Sequence, residues 1–454
     1  MVMRVEGNGP GLLILRGRVL TFTSEPQDLH DAASYRYIED GAVVINKANG
    51  RILVVSEWQG PDRPVVFDGI DSVEVVDHRP HLILPGFVDM HLHYVQLQMI
   101  ASYAGSLLEW LNTYTFHEEQ KFSQQGHAGA MASAFYDELI RNGTTTAVAY
   151  CSSHPRSVDA YFAEAEKRNM LMVGGKVMMD RNAPEALCDT TQSGYDDSKA
   201  LIERWHGRGR ALYAISPRFA ITSTPGQMEA ARALVREHPE TYVQTHLSEN
   251  DAEISLSMEL YPNSPDYAGI YEDYGLLGPK TLLGHSIHLN HRETRVLAET
   301  GSVAVFCPTS NLFLGSGLFD RERLSKAGVR IGIATDIGGG TSYSMLRTLD
   351  EGYKILQLRG QRLNPFASFY MATLGNARAL SLEGTIGAVA PGNAADLVVL
   401  NAAATPAMAL RMQTVTTLAE ELFLLQTLGD DRSIAEVYVA GARAKSVLSG
   451  LAAS

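Results

Sequence analysis

Short apolar runs alternate with segments of helical periodicity through the middle of the chain. Most runs are separated by amphipathic segments of ordinary helix length, such as 128–142 and 227–237. Thr224 followed by Pro225 is a helix-start signal just before the segment 227–237. The runs occupy residues 87–93, 145–150, 171–179, 212–219, 242–247, 281–285, 303–307 and 329–336. Such alternation is typical of parallel βα units, and eight units predict an α/β fold of the (β/α)8 TIM-barrel type.

An open, doubly wound sheet is the main alternative for this pattern. Such a fold normally has a glycine-rich phosphate-binding turn after an early strand. The glycine cluster from Gly338 to Gly340 instead follows the last apolar run. The pattern therefore favours the barrel.

Both ends of the chain have a sequence pattern typical of short strands and turns. Near the N-terminus, strands are predicted at residues 12–15, 43–45, 52–55 and 73–76, the last followed by a loop at 78–81. Near the C-terminus, strands are predicted at 395–400 and 436–439, separated by an amphipathic segment at 415–428. We expect both ends to share one small composite β-domain.

The predicted domain boundaries follow from this reading. Residues 1–84 form the N-terminal part of the β-domain, residues 85–384 the catalytic barrel, and residues 385–454 the C-terminal part of the β-domain. A chain of 454 residues with 45% hydrophobic content is long enough for a barrel and an accessory unit.

The overall charge excludes one class of partner. The formal net charge is -13 and no basic stripe stands out, so nucleic-acid binding is not expected.

Cys151, Cys188 and Cys307 are widely spaced and odd in number, which favours neither a disulfide framework nor a thiolate metal cluster. No apolar run approaches the ~20 residues that span a bilayer, and no signal peptide is evident, so we expect a cytoplasmic protein without a membrane partner.

Histidines at the end of the first run are the first candidate ligands. His91 and His93 are two residues apart, a spacing that puts both imidazoles on the same side of a strand. A pair of satisfied interior histidines has the same pattern, so the spacing alone does not establish a metal site. Their position adds weight, because catalytic residues of such barrels lie at the C-terminal ends of strands.

Three further candidates lie at the ends of later runs. His246 is the next-to-last residue of the fifth run, His285 ends the sixth and Asp336 the eighth. Imidazole and carboxylate ligands suit zinc or iron, and a catalytic site keeps one position open for water. The set predicts a hydrolytic metal centre, with His288 and His291 outside it.

Glu249 follows His246 by three residues and is the candidate proton carrier. A single carboxylate can take a proton from water and then return it to the leaving group. The alternative is a solvated loop charge, and the His-x-x-Glu spacing favours the functional reading. Lys176 lies within the third run and the fourth run ends near Arg218, so no lysine is expected at a strand end to bridge two metal ions as a carbamate. A centre with a single metal ion is therefore predicted.

These residues lie in strings that resemble the amidohydrolase superfamily and, more closely, its guanine deaminase family. The similarity extends over about residues 80 to 440, whereas the N-terminal 80 residues match loosely. The matching strings are PGFVDMHLHYVQ at 85–96, RNGTTTA at 141–147, KVMMDR at 176–181, PRF at 217–219, QTHLSEN at 244–250, FCPTSN at 306–311, ATDIG at 334–338 and GDDRS at 429–433.

The resemblance implies a role for each candidate residue. One zinc ion per subunit is held by His91, His93, His246 and Asp336. Glu249 is the general acid and base, His285 contacts the attacking water, and Asp336 also accepts a hydrogen bond from it. The residues that match substrate-contacting positions are Gln96, Arg218 and Phe219.

Without the resemblance, Arg218 also fits a salt bridge at the barrel rim, and Phe219 also fits ordinary core packing.

The resemblance to this family implies hydrolysis of guanine to xanthine and ammonia, and a homodimer. Two alternatives remain at this stage. One is a related hydrolase or deaminase acting on 8-oxoguanine, cytosine or a triazine-like ring, against which Gln96 and Arg218 argue. The other is a non-catalytic barrel scaffold, a class that usually loses ligands that this chain retains.

Overall fold

The computed structural model describes residues 4–9, 11–58, 66–70, 72–103 and 107–451, and a parallel β-barrel lies at its centre. Within those residues the barrel strands follow chain order, and each pairs in parallel with the next. They are Phe87–His93, Thr144–Tyr150, Leu171–Gly175 with its continuation Val177–Met178, Ala211–Pro217, Tyr242–Leu247, Thr281–His285, Val303–Phe306 and Arg330–Ile333. Each predicted apolar run overlaps one strand, so the predicted barrel is confirmed.

The first barrel strand is joined to the segment that follows the eighth. The amide of Asp336 donates to the carbonyl of His91 at 2.8 Å. Nearby, the buried carboxylate of Asp89 accepts a hydrogen bond from the amide of Thr335 at 3.1 Å and another from its hydroxyl. These contacts complete the barrel on the side where its two end strands meet.

Helices cover the outside of the barrel, and apolar side chains such as Val88, Val148 and Val305 fill its interior. The main helices are Gln125–Arg141, Pro155–Arg168, Thr191–Trp205, Pro225–Glu237, Asp251–Leu260, Tyr267–Asp273, His291–Thr300, Pro308–Phe313, Arg321–Lys326, Met345–Leu358, Pro365–Tyr370 and Asn376–Ala379. Single helical turns lie at Glu185–Leu187, Ala220–Thr222 and Met371–Gly375. None of the described helices is both long and apolar enough to cross a bilayer.

A helical segment follows the first strand and lies over the mouth of the barrel. Its buried side chains Leu107, Trp110, Leu111 and Phe116 pack in one apolar cluster with Phe219 from the fourth βα loop. The turn Tyr94–Met99 follows the strand directly, and the segment itself consists of Leu107–Trp110, Leu111–Thr115, Phe116–Gln120 and Lys121–Ser123. This segment, residues 107–123, is called the mouth segment below.

The two ends of the chain form a separate mixed sheet, as predicted. The order across the sheet is Ala442–Arg443, Ile434–Val439, Leu397–Leu400, Val73–Pro85, Leu12–Phe22, Tyr35–Asn46 and Arg51–Glu57. The C-terminal part of the chain also contains the helices Pro406–Met412, Leu418–Leu428 and Lys445–Leu451 and the turn Asp431–Ser433. At the N-terminal end, Arg4–Gly9 pairs with Val66–Ile70 in a small parallel sheet. The exact domain boundaries stay a prediction.

The expected loop at residues 78–81 is wrong in one respect. The strand Val73–Pro85 continues through these residues, but they form an irregularity in its pairing. Asp77 pairs with Arg16 and Leu82 with Arg18, so the four intervening residues face only Gly17 on the neighbouring strand. Polar residues and Pro80 in this stretch produced the loop-like sequence signal.

A buried ion pair links the barrel to the end sheet. Arg210, just before the fourth barrel strand, donates to both carboxylate oxygens of Asp396, with one bond at 3.1 Å. The same carboxylate accepts from the amide of Ala440 at 2.8 Å, and the Asp396 side chain is only 2% exposed. Three donors therefore depend on one carboxylate that has little access to water.

We expect Asp396→Ala to lower the free energy of unfolding by at least about 2 kcal/mol, because it leaves a mostly buried guanidinium without its partner. Guanidinium-chloride unfolding followed by circular dichroism measures the change. Glu229→Ala, which breaks the more exposed pair with Arg232, is the control and should change stability by less than about 0.5 kcal/mol. Equal effects of the two substitutions would contradict this role of Asp396.

Candidate active site

Strand ends bring the predicted ligands together at the mouth of the barrel. His91 and His93 lie at the end of the first strand, His246 near the end of the fifth and His285 at the end of the sixth. Asp336 lies three residues beyond the eighth strand. All five side chains are buried.

Short distances join four of these side chains. The Nε2 atoms of His93 and His246 are 3.3 Å apart. Oδ1 of Asp336 is 3.4 Å from Nε2 of His91 and 3.5 Å from Nε2 of His93. Ligand atoms about 2.0–2.2 Å from one shared ion have separations of this size in a tetrahedral site.

Hydrogen bonds also prepare the imidazoles for a metal ion. Nδ1 of His246 donates to the carbonyl of Arg218 at 2.7 Å, which leaves its Nε2 as a ligand. Nε2 of His91 is buried and has no hydrogen-bond partner among the described residues. A buried nitrogen without a partner is costly unless something else binds it. His91, His93, His246 and Asp336 therefore fit a divalent metal ion.

The protonation states suit the same role. Burial lowers the pKa of His91, His93 and His246, so these imidazoles are neutral and can donate an electron pair. Burial alone would raise the pKa of Asp336, but the neighbouring histidines, His91 foremost, bring it down to about 2. The cluster thus offers three neutral nitrogens and one ionised carboxylate.

The backbone is constrained where two of these side chains originate. His285 has a φ of 68° and Asp336 a φ of 53°, both in the left-handed region that non-glycine residues seldom adopt. Ser248, between His246 and Glu249, has a φ of 50°. Conformations of this kind persist where surrounding contacts fix them, and they cluster at functional sites.

His285 and Glu249 face each other beside the cluster. Nε2 of His285 is 3.5 Å from Oε2 of Glu249, and its Nδ1 is 2.9 Å from Oδ1 of Asn311. Burial opposes protonation of His285, but Glu249 and Asp336 raise its pKa above the ordinary value. Burial raises the pKa of Glu249, whose Oε1 accepts a hydrogen bond from Ser316 at 2.8 Å. A buried carboxyl group of this kind is suited to proton transfer.

The remaining predicted site residues line the same cavity as the histidine cluster. Gln96, Arg218 and Phe219 are buried, and each contributes to the cavity wall. The Phe219 and His246 rings have centroids 6.2 Å apart. The residues predicted to contact substrate and the predicted metal ligands His93, His246 and Asp336 therefore line one cavity.

Several residues in and around this cavity were missed in the sequence. Glu119 accepts hydrogen bonds from Gln96 and Arg218, Ser316 contacts Glu249, and Trp110 lines the wall. They lie in the mouth segment and in the loop after the seventh strand, away from the strand-end histidines. No spacing rule connects such positions, so their roles depend on the folded arrangement.

Two other residues near strand ends have different surroundings. Nζ of the buried Lys176 is 2.5 Å from Oδ2 of the partly buried Asp189, which compensates its charge. Cys307 lies close enough to His91, His285 and Asp336 to belong to a possible ligand group. Burial raises the pKa of its thiol well above the ordinary value, so the thiol stays protonated.

Comparison with known proteins places this arrangement in a family. Residues 82–444 match the model of the amidohydrolase family. The chain belongs to the amidohydrolase family. The resemblance seen in the sequence is therefore confirmed.

Individual relatives of this amidohydrolase extend the comparison. The guanine deaminase of Escherichia coli K12 is 46% identical over 433 residues, which cover 95% of this chain and 97% of the relative. A solved structure of the E. coli enzyme matches with a TM-score of 0.90 at 45% identity, covering 95% and 98% of the two chains. A guanine deaminase from C. acetobutylicum, solved with guanine in its active site, matches with a TM-score of 0.83 at 29% identity, covering 95% and 99%.

We expect His246→Ala to lower the affinity of this amidohydrolase for divalent metal by more than about tenfold, because the variant loses one ligand atom. Elemental analysis after equilibration in a metal buffer measures the bound ion. His288→Ala is the matched control, since this partly exposed histidine bonds to the carbonyl of Ser316 away from the cluster. Metal content equal to that of the wild type in the His246 variant would contradict the ligand set.

Proposed function

We propose that this amidohydrolase catalyses the hydrolytic deamination of guanine to xanthine and ammonia, with one zinc ion per subunit. The observation that carries the proposal is one cavity whose lining includes His93, His246, Asp336 and Glu249 together with Arg218. The near full-length similarity to a bacterial guanine deaminase supports the choice of substrate.

The recognition side of the cavity fits the chemistry of guanine. Guanine presents the O6 acceptor and an amide-like edge on a flat ring. Arg218 has charge-assisted donors for O6, and Gln96 has both a donor and an acceptor. Phe219 provides an apolar wall beside the ring. These contacts orient C2 of guanine toward the histidine cluster.

Proposed ligands for zinc are His91, His93, His246 and Asp336. The ion would supply Lewis-acid activation of a water molecule. Two tightly bound metal ions per subunit in elemental analysis would contradict the single-metal assignment.

The protein residues then move protons. Water adds to C2 of guanine while Glu249 takes its proton and passes it to ring N3. Asp336 accepts a hydrogen bond from the attacking water, and His285 holds it in line with C2. Glu249 then carries the remaining proton of the C2 hydroxyl to the exocyclic nitrogen, the C2–N bond breaks, and ammonia leaves as the C2 carbonyl of xanthine forms. The buried walls exclude other water from this sequence.

Cellular setting and assembly belong to the same proposal. We infer a cytoplasmic homodimer, in line with the sequence resemblance. Light scattering of the purified protein gives the subunit number directly.

We expect guanine to have the highest kcat/KM among guanine, 8-oxoguanine, cytosine, adenine and guanosine, because the proposed contacts of Arg218 and Gln96 match its amide edge and mostly buried side chains line the cavity. Ammonia release measures each rate on the zinc-loaded enzyme. If another ring has a higher kcat/KM, that ring and not guanine is the preferred substrate. Absence of turnover with every ring would sink the deaminase assignment.

We expect Glu249→Gln to lower kcat by at least ~10²-fold while zinc content and guanine affinity change little, because glutamine keeps the size but cannot carry the proton. Glu259→Gln, at an exposed position on the helix that follows, is the control. Turnover, zinc content and guanine binding are measured together. A kcat near that of the wild type would remove Glu249 from proton transfer.

A further inference from the structure

A buried carboxylate lies behind the recognition side of the cavity. Glu119, on the mouth-segment helix Phe116–Gln120, has no exposed surface. Its Oε1 accepts hydrogen bonds from Nη1 of Arg218 at 2.8 Å and from Nε2 of Gln96 at 2.9 Å, and its Oε2 is 3.1 Å from the same Nη1. Arg218 and Gln96 line the cavity, whereas Glu119 does not.

This carboxylate fixes the orientation of the Gln96 amide. Nε2 of Gln96 donates to Glu119, and Oε1 of Gln96 accepts from the amide of Gly338 at 3.3 Å. A flipped amide would place an oxygen against the carboxylate and an NH2 group against a backbone NH, so both contacts would become repulsive. The second N–H of Gln96 and the free lone pair of its oxygen are thus held in a set direction.

The same carboxylate compensates the charge of Arg218. The Arg218 side chain is 3% exposed, so its positive charge has almost no access to water. A buried cation without a partner attracts an anion strongly, whereas a paired one is nearly neutral from the outside. Glu119 engages Nη1 and leaves the Nη2 and Nε donors for a ligand. The recognition side therefore offers hydrogen-bond donors without a net charge.

We propose that Glu119 is a positioning residue that makes this site select an uncharged, amide-bearing ring over an anionic ring. The inference rests on the proposed function, because it takes Arg218 and Gln96 as the groups that contact the substrate ring. Glu119 does not touch the ring and acts through these two side chains. It goes beyond the proposed reaction by identifying what sets the preference for the charge of the ligand.

The test compares the binding of a neutral purine with that of an anionic purine. Hypoxanthine is neutral near pH 7.5, whereas urate is a monoanion, and both carry the oxo group and the flat bicyclic ring. Isothermal calorimetry of the zinc-loaded protein gives both dissociation constants without any turnover. Failure of the wild type to deaminate guanine would count against the proposed function alone, because the binding comparison does not use that reaction.

We expect Glu119→Gln to weaken hypoxanthine binding and strengthen urate binding, so that the ratio of the two affinities shifts toward urate by at least about tenfold. The variant leaves the charge of Arg218 uncompensated and removes a strong acceptor for Gln96. Glu118→Gln is the matched control, because the neighbouring Glu118 pairs with Lys121 at the surface, and its ratio should equal that of the wild type. Equal weakening of both ligands by Glu119→Gln, or an unchanged ratio, would overturn the proposal.

The reciprocal variant keeps the proposal testable if Glu119→Gln does not fold. Arg218→Gln leaves the carboxylate of Glu119 uncompensated, so the affinity ratio should shift away from urate. The double variant Glu119→Gln with Arg218→Gln removes both charges together and should return the ratio close to the wild-type value, although both ligands bind more weakly. An Arg218→Gln ratio equal to the wild-type value would overturn the proposal.

Discussion

The contact between the first barrel strand and the segment after the eighth is the constraint on which the active site depends. The amide of Asp336 bonds to the carbonyl of His91, so the backbone contact that joins the two ends of the barrel also brings two proposed ligands side by side. The carboxylate of Asp89 reinforces the junction through Thr335. Completion of the barrel therefore also brings the proposed ligands His91 and Asp336 together.

Arg218 connects the two halves of the site in a similar way. Its carbonyl accepts a hydrogen bond from the His246 ring, and its guanidinium bonds to Glu119 in the mouth segment. The backbone of one residue thus orients a proposed metal ligand while its side chain lines the recognition wall. A displacement of Arg218 would move both the ring of His246 and the cavity wall, so under the proposed function it would couple substrate binding to the metal ligands.

Periodic features of the fold could be predicted from the sequence because they depend on local pattern. Buried parallel strands have continuous apolar runs, and the chemistry-bearing residues His91, His246 and His285 lie at their ends. Glu119 had no such signal, because its partners Gln96 and Arg218 are 23 and 99 residues away along the chain. The irregular pairing at residues 78–81 could not be predicted from local pattern either, because it depends on the register with a neighbouring strand.

The sheet built from both chain ends has a consequence for synthesis on the ribosome. Strand Val73–Pro85 emerges early, yet its partner Leu397–Leu400 follows more than 300 residues later. At translation rates of about 5–20 residues per second, one edge of the early strand waits for tens of seconds without that partner. An unpaired edge can pair with other chains, so the nascent polypeptide presents such an edge throughout the synthesis of the barrel.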